Sequence, residues 1–185
     1  GYAEYCAAYY LEHRPEAGYH FYNRGLSGDR LTGISGRWDV DVLAVQPDIV
    51  SIFVGVNDSS HQNCQTFDFA GWEKMYRELI KRTAAFDPQC KIVLCTPFLE
   101  QRGAVGRSGD YADRRAVIDR LDVIVRKLAS EYGLVCVDFA PLMDSLVEKD
   151  KSGDRNYWTW DGVHPTMQAH AKMAELWIKK VGKRL

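Results

Sequence analysis

Three nearly continuous apolar runs of strand length, Asp48 to Gly55 (DIVSIFVG), Lys91 to Thr96 (KIVLCT) and Leu134 to Asp138 (LVCVD), constrain this chain more than any other feature. A strand with one wet face alternates apolar and polar residues, whereas an unbroken apolar run suits a strand buried on both faces of a parallel sheet. A fourth run, His20 to Asn23 (HFYN), is read as a further strand. Helical spacing fills the intervals. Between Trp72 and Phe86, residues Met75, Leu79, Thr83 and Phe86 recur every three to four positions before Asp87-Pro88 stops the helix. A later face carries Val117, Leu121, Ile124, Leu128 and Tyr132, with Gly133 placed as a C-terminal cap. The last helix is expected from about Thr166 to Val181, with Met167, Ala171, Ala174, Ile178 and Val181 as its buried stripe. Tyr2 to Leu11 and Trp38 to Val45 are expected to be helical too. The resulting order, α-β-α-β-α-β-α-β-α, implies an α/β layered sandwich whose ligands bind at the C-terminal ends of the strands.

A chain of 185 residues fits one domain spanning 1–185, because folding at this size buries roughly 70% of the unfolded surface. Lys and Arg total 24 against 25 Asp and Glu, so the basic field that nucleic-acid binding needs is missing. Five cysteines without a CxxC pair argue against a disulfide framework and a zinc site. Cys95 and Cys136 lie inside apolar runs and read as small buried hydrophobes. No HExxH or other spaced ligand set suggests a catalytic metal, and no cofactor is expected. No apolar run approaches the ~18 residues of a membrane span. The compartment leans to the cytoplasm, with export left open.

Asp161-Gly162-Val163-His164, followed by Pro165-Thr166, sets a carboxylate three residues ahead of a histidine. A hydrolase relay needs an acid on one imidazole nitrogen so that the other can take a proton from a nucleophile. The same residues also read as a helix start, with Asp161 or Thr166 as cap and Pro165 in the first turn. After HFYN comes NRGLSGDR, in which Gly25 and Gly28 let the backbone bend sharply, and DIVSIFVG leads into Gly55-Val56-Asn57-Asp58. Each alone is an ordinary turn. Together, the Gly28 N–H and the Asn57 amide could converge on one oxygen, as an oxyanion hole requires. His61 follows the second loop and is a candidate substrate contact, while His170 reads as a helix-surface residue. Trp158 and Trp160 fit two readings, a shallow acyl or sugar pocket or core packing under the loop. Gln101 to Asp110 (QRGAVGRSGD) reads as a mobile polar loop overhanging the site.

The blocks NRGLSGDR, VGVND and DGVHPT, in this order at strand ends, resemble those of the SGNH, or GDSL-type, hydrolases over essentially the whole chain. The resemblance implies a flavodoxin-like three-layer sandwich and ester hydrolysis through a serine acyl-enzyme. It implies that Gly28 and Asn57 are the oxyanion donors, His164 the base and Asp161 its orienter. One block is missing: the family's first, a GDS segment that carries the serine and ends a central strand, occurs nowhere in this chain. Ser27, Ser35, Ser51 and Ser59 are poor substitutes, each following or sitting inside an assigned element, Ser51 within a buried strand.

In the family that strand lies between those matching HFYN and DIVSIFV. Its absence would leave two rows of backbone groups unpaired at about 1 to 3 kcal/mol each, against a total stability of about 5 to 15 kcal/mol. The expectation is therefore that the parent protein carries roughly 30 further N-terminal residues, one βα unit. Intact mass of the purified protein tests this. The implied substrate is a short-chain carboxylic ester, an acetyl group on a carbohydrate foremost. A lysophospholipase or thioesterase is the rival within the class, and a serine-less binding protein the rival outside it. A nucleotide binder is disfavoured, because NRGLSGDR lacks the GxGxxG spacing.

Overall fold

The computed structural model describes residues 1–60 and 64–182. Three of the expected strands form: β1 (Ile49–Phe53), β2 (Lys91–Cys95) and β3 (Val135–Val137). They make a parallel sheet in the order β1-β2-β3, with Ile52 opposite Leu94 and Leu94 opposite Cys136. The unbroken apolar character of β2 has the expected consequence. Ile92 and Leu94 enter one hydrophobic core, Val93 and Cys95 enter another, and all four are buried.

The helices cover both faces. On one lie α2 (Leu31–Gly36), α3 (Trp38–Asp41), α5 (Phe69–Phe86) and α7 (Tyr111–Glu131), which supply Leu31, Trp38, Tyr76, Leu79, Leu121 and Leu128 to the first core. On the other lie α1 (Tyr2–His13), α8 (Phe139–Glu148) and α9 (Met167–Val181), which supply Tyr10, Phe139, Met143, Met173 and Trp177 to the second. Two short helices, α4 (Val56–Ser60) and α6 (Gly103–Arg107), follow β1 and β2 and build the rim where ligands are expected. Among the described residues no helix is long and apolar enough to cross a membrane.

Local chemistry sets the helix ends. Asp68 caps α5 by accepting the Gly71 N–H at 2.8 Å. Gly133, at φ 64°, closes α7 in a Schellman turn, with Leu134 N–H on the Ala129 carbonyl at 2.8 Å and Gly133 N–H on that of Ser130 at 3.3 Å. Thr166 is the N-cap of α9, and Pro165 stands just before the cap instead of in the first turn.

Four expectations are corrected. His20–Asn23 forms no strand, because a strand exists only through its ladder and, among the described residues, none lies along the second edge of β1. Ser51, on that edge strand, is exposed, and its hydroxyl accepts the Trp177 indole N–H at 3.1 Å. The buried stripe of α9 runs through Ala169, Met173, Ala174, Trp177 and Val181, leaving Met167 73% exposed. The helix turns Trp177, its largest apolar group, and Met173 toward the core it shares with α1. His170 is half-buried on that side, where its Nδ1 accepts the Tyr2 N–H at 3.1 Å.

Candidate active site

Asp161 and His164 meet within one turn of loop. Asp161 Oδ2 lies 2.7 Å from His164 Nδ1, while Oδ1 accepts the backbone N–H groups of Val163 at 2.9 Å and His164 at 2.8 Å. Burial pushes the Asp161 carboxyl up, yet the His164 N–H, the His164 ring and the Val163 N–H together hold it below the ordinary aspartate value. The acid is therefore ionised and aimed, and Nε2 is the ring nitrogen left for a substrate-side partner. The Asp161 side chain is 17% exposed and that of His164 57%, so a supported imidazole faces solvent. Trp160 stacks on the imidazole with ring centroids 5.3 Å apart.

The loop is closed on itself through Thr159. Its buried hydroxyl donates to the His164 carbonyl at 2.9 Å and accepts the Gly162 N–H at 3.0 Å. Thr159 also forms an antiparallel bridge with Pro165, and Thr166 N–H donates to the Trp158 carbonyl at 3.1 Å.

The loop is further clamped to the segment after β2. Glu100 N–H donates to the Gly162 carbonyl at 2.9 Å, and Val105 N–H to that of Asp161 at 3.0 Å. Both sides of the clamp need glycine. A Cβ on Gly162, at φ 97°, would lie 2.4 Å from the Glu100 carbonyl oxygen, and one on Gly103, at φ 48°, 2.2 Å from that of Trp160. The 101–110 segment is thus no mobile overhang: it contains α6, buries Val105 and holds the relay. Thr159, Gly162, Gly103 and Glu100 are the supports that sequence reasoning missed. The glycine within DGVH was a signal; the long-range pairing to Glu100 left none.

Glu100 itself is 4% exposed, and its Oε1 has no hydrogen-bond partner among the described residues. Burial foremost, with the charge of Asp144, pushes its carboxyl up to about 7, against the pull of Arg115 and Arg102. Arg115 grips Asp144 with two hydrogen bonds of 2.8 and 3.0 Å and donates to the Leu99 carbonyl, tying α8 to the clamp.

The donor side is built differently. Asp29 N–H donates to the Leu26 carbonyl at 3.2 Å, and Gly28 takes φ 78° at the third position of that turn, where glycine is favoured. Asn57, in α4 just after β1, donates its side-chain amide to the Asp29 carbonyl at 3.0 Å. Asp58 accepts the Leu31 N–H at 3.3 and 3.4 Å; its burial pushes its carboxyl up to about 6 even with that N–H in place. Arg37 bonds Asp29, Asp41 and the Arg24 carbonyl. Asn57 and the Gly28 turn are thus brought together, as are Asp161 and His164, and both pairs lie beyond the C-terminal ends of strands. Among the described residues no hydrogen bond joins the two pairs, and no serine hydroxyl bonds His164.

The two tryptophans divide. Trp158 is half-buried, packed on the second core with Tyr157 edge-on at 4.9 Å, so it serves packing. Trp160 is 57% exposed beside the base. His61 lies outside the described residues. Among the described residues no group of histidine, cysteine or carboxylate side chains could hold a metal ion.

A parallel sheet between two helical layers, with an acid-oriented histidine at its C-terminal rim, defines an α/β sandwich of hydrolase layout. The chain belongs to the GDSL-like lipase/acylhydrolase family, whose model matches residues 1–172, and with it to the ester hydrolases. An acetylxylan esterase of Geobacillus stearothermophilus is 29% identical over 189 residues, covering 98% of this chain and 81% of that protein. A solved structure of an acetylxylan esterase from the same organism superimposes with a TM-score of 0.83 at 26% identity, covering 98% of this chain and 81% of that one. An acetylxylan esterase of Xylanibacter ruminicola is 34% identical over 151 residues, 74% of this chain but 29% of that protein. A GDSL-like lipase structure from Parabacteroides merdae superimposes with a TM-score of 0.84 at 32% identity, covering 98% of this chain and 82% of that one. Catalytic mutants of the Geobacillus enzyme replace a serine, an aspartate or a histidine, the last two three positions apart; another mutant replaces the tryptophan just before that aspartate.

Proposed function

We propose that this chain is the greater part of a serine esterase that removes acetyl groups from carbohydrate, with His164 as general base, Asp161 as its orienter, and Gly28 and Asn57 as oxyanion donors. The Asp161–His164 bond of 2.7 Å carries the reading, because a carboxylate fixed on Nδ1 sets the tautomer in which Nε2 can take a proton. The Trp-Asp-x-x-His spacing shared with the residues mutated in the Geobacillus enzyme supports it. The nucleophile is a serine upstream of Gly1, on a strand that pairs with the second edge of β1.

In this mechanism His164 takes the serine proton as the serine oxygen attacks the ester carbonyl. The Gly28 N–H and the Asn57 amide hold the oxyanion, and the imidazolium returns the proton to the leaving sugar oxygen. Water then attacks the acyl-enzyme with His164 again as base, releasing acetate and restoring the serine. Asp161 stays ionised throughout, which suits a carboxyl held below its ordinary value.

The test is a fluorophosphonate probe with p-nitrophenyl acetate turnover on the protein that includes the upstream serine. Labelling abolished by His164→Ala is expected, since only an activated serine reacts. A serine that stays unlabelled, or labelling indifferent to His164, would overturn the reading in favour of a binding protein.

A further inference from the structure

Beside the relay lies a cleft of about 480 Å³ lined by Gln101, Arg102, Gly103, Gly106 and Arg107 from the clamp segment and by Arg155 and Asn156 from the loop before Trp158. We propose that it is a subsite for a carboxylate-bearing sugar, so that the acetylated substrate is an acidic oligosaccharide; this rests on the esterase reading above.

Three arginines converge there without acidic partners. Elsewhere Arg14, Arg37, Arg77, Arg82, Arg115 and Arg126 each reach a carboxylate within 4.0 Å, while Arg24 and Arg120 lie over the Tyr22 and Phe69 rings and, among the described residues, Arg30 and Arg114 reach no acid at that distance. Among the described residues neither Arg102, Arg107 nor Arg155 reaches a carboxylate either, and Arg102 donates only to the Gln101 carbonyl at 3.3 Å. Two acids feel Arg102 from outside the lining. Glu100 is buried beneath the segment, and Asp150 accepts the N–H and hydroxyl of Ser152. The lining itself holds three arginines and no acid, a local excess of positive charge that an anion would offset.

Shape and position choose among anions. The volume lies within the roughly 300 to 1,000 Å³ of small-ligand sites, and the planar guanidinium fork matches a carboxylate with paired hydrogen bonds. Gln101 and Asn156 add neutral amides, which suit sugar hydroxyls. Gly103, on the cleft wall, packs on the backbone of Trp160 and Asp161, and the exposed Trp160 ring beside His164 offers an apolar face to a neighbouring sugar. A sugar in the cleft and an acetylated sugar at His164 are thus placed as neighbours on one chain.

The experiment compares kcat/KM for acetylated xylooligosaccharides with and without a uronic-acid branch on the serine-bearing protein, with p-nitrophenyl acetate as the neutral control. The branched substrate is expected to be favoured about tenfold or more. Arg107→Gln with Arg155→Gln should remove that preference by raising KM for the branched substrate. Equal kcat/KM on both oligosaccharides, or a preference that survives the double substitution, would sink the proposal. Calorimetric titration with glucuronate, glucose and inorganic phosphate reads the cleft independently of catalysis. Binding of glucuronate alone, lost in the double variant, supports it; tighter binding of phosphate, or no glucuronate binding, overturns it. Absence of p-nitrophenyl acetate turnover in the unmodified protein would count against the esterase reading, with the titration still deciding the cleft.

Discussion

The two halves of the candidate site are held to different standards. The Asp161–His164 loop is over-determined: Thr159 ties it to itself, Glu100 and Val105 tie it to the β2 rim, and two glycines let those backbones touch. The Gly28 turn is exposed and is secured mainly by the Asn57 amide, the Leu31 bond to Asp58 and the Arg37 cluster. It also lies beside the strand whose second edge has no partner among the described residues. A base, the role proposed for His164, must keep one tautomer and one direction, which local and redundant support supplies. An oxyanion donor needs only a correctly aimed N–H, which neighbouring elements can supply.

Substitutions on the serine-bearing protein can break this contrast. The largest effect is expected for His164→Ala, on the order of a million-fold in p-nitrophenyl acetate turnover with circular dichroism unchanged; a small loss would remove His164 from the chemistry. Asn57→Ala should follow, with turnover down about 100- to 1,000-fold and more ready proteolytic cleavage between Asn23 and Arg30, where the turn loses a tether. If cleavage increases while turnover holds, Asn57 is a strut and not a donor. Gly162→Ala should cost at least about 2 kcal/mol in urea unfolding, from a positive φ and backbone contact that cannot yield. A neutral result would mean that the clamp is looser than its geometry.

The gentlest test is pH. Because the Glu100 carboxyl is raised from 4.5 to about 7 in the folded protein, the folded form keeps a proton that the unfolded chain releases. Its contribution to stability is fully present below the unfolded value and is lost as pH rises through the folded one. Urea midpoints should therefore decline across that window, and Glu100→Gln should flatten the decline. An unchanged slope in the variant would place the titration elsewhere, with Asp58, raised to about 6, the next group to replace.

How much was legible follows the range of each interaction. β2 was readable because burial on both faces leaves an unbroken apolar run, and α7 because Val117, Leu121, Ile124 and Leu128 repeat at helical spacing and are all buried. The Asp161–His164 contact was readable because the two residues are near neighbours in the chain. HFYN misled because apolar content alone does not make a strand; a ladder partner does. The α9 stripe misled because spacing defines a set of faces, and the shape of the neighbouring core selects among them.

By itself the sequence determined what short range can encode: the α/β alternation, the Asp161–His164 pair, the glycine turns and the caps. Only the tertiary structure decided what long range must assemble. It set Glu100 and Gly103 against the relay loop, joined Asn57 to the Gly28 turn, and gathered Arg102, Arg107 and Arg155 around one cleft. Such contacts leave no periodic trace, because residues far apart in the chain meet only after the cores have packed the helices that carry them.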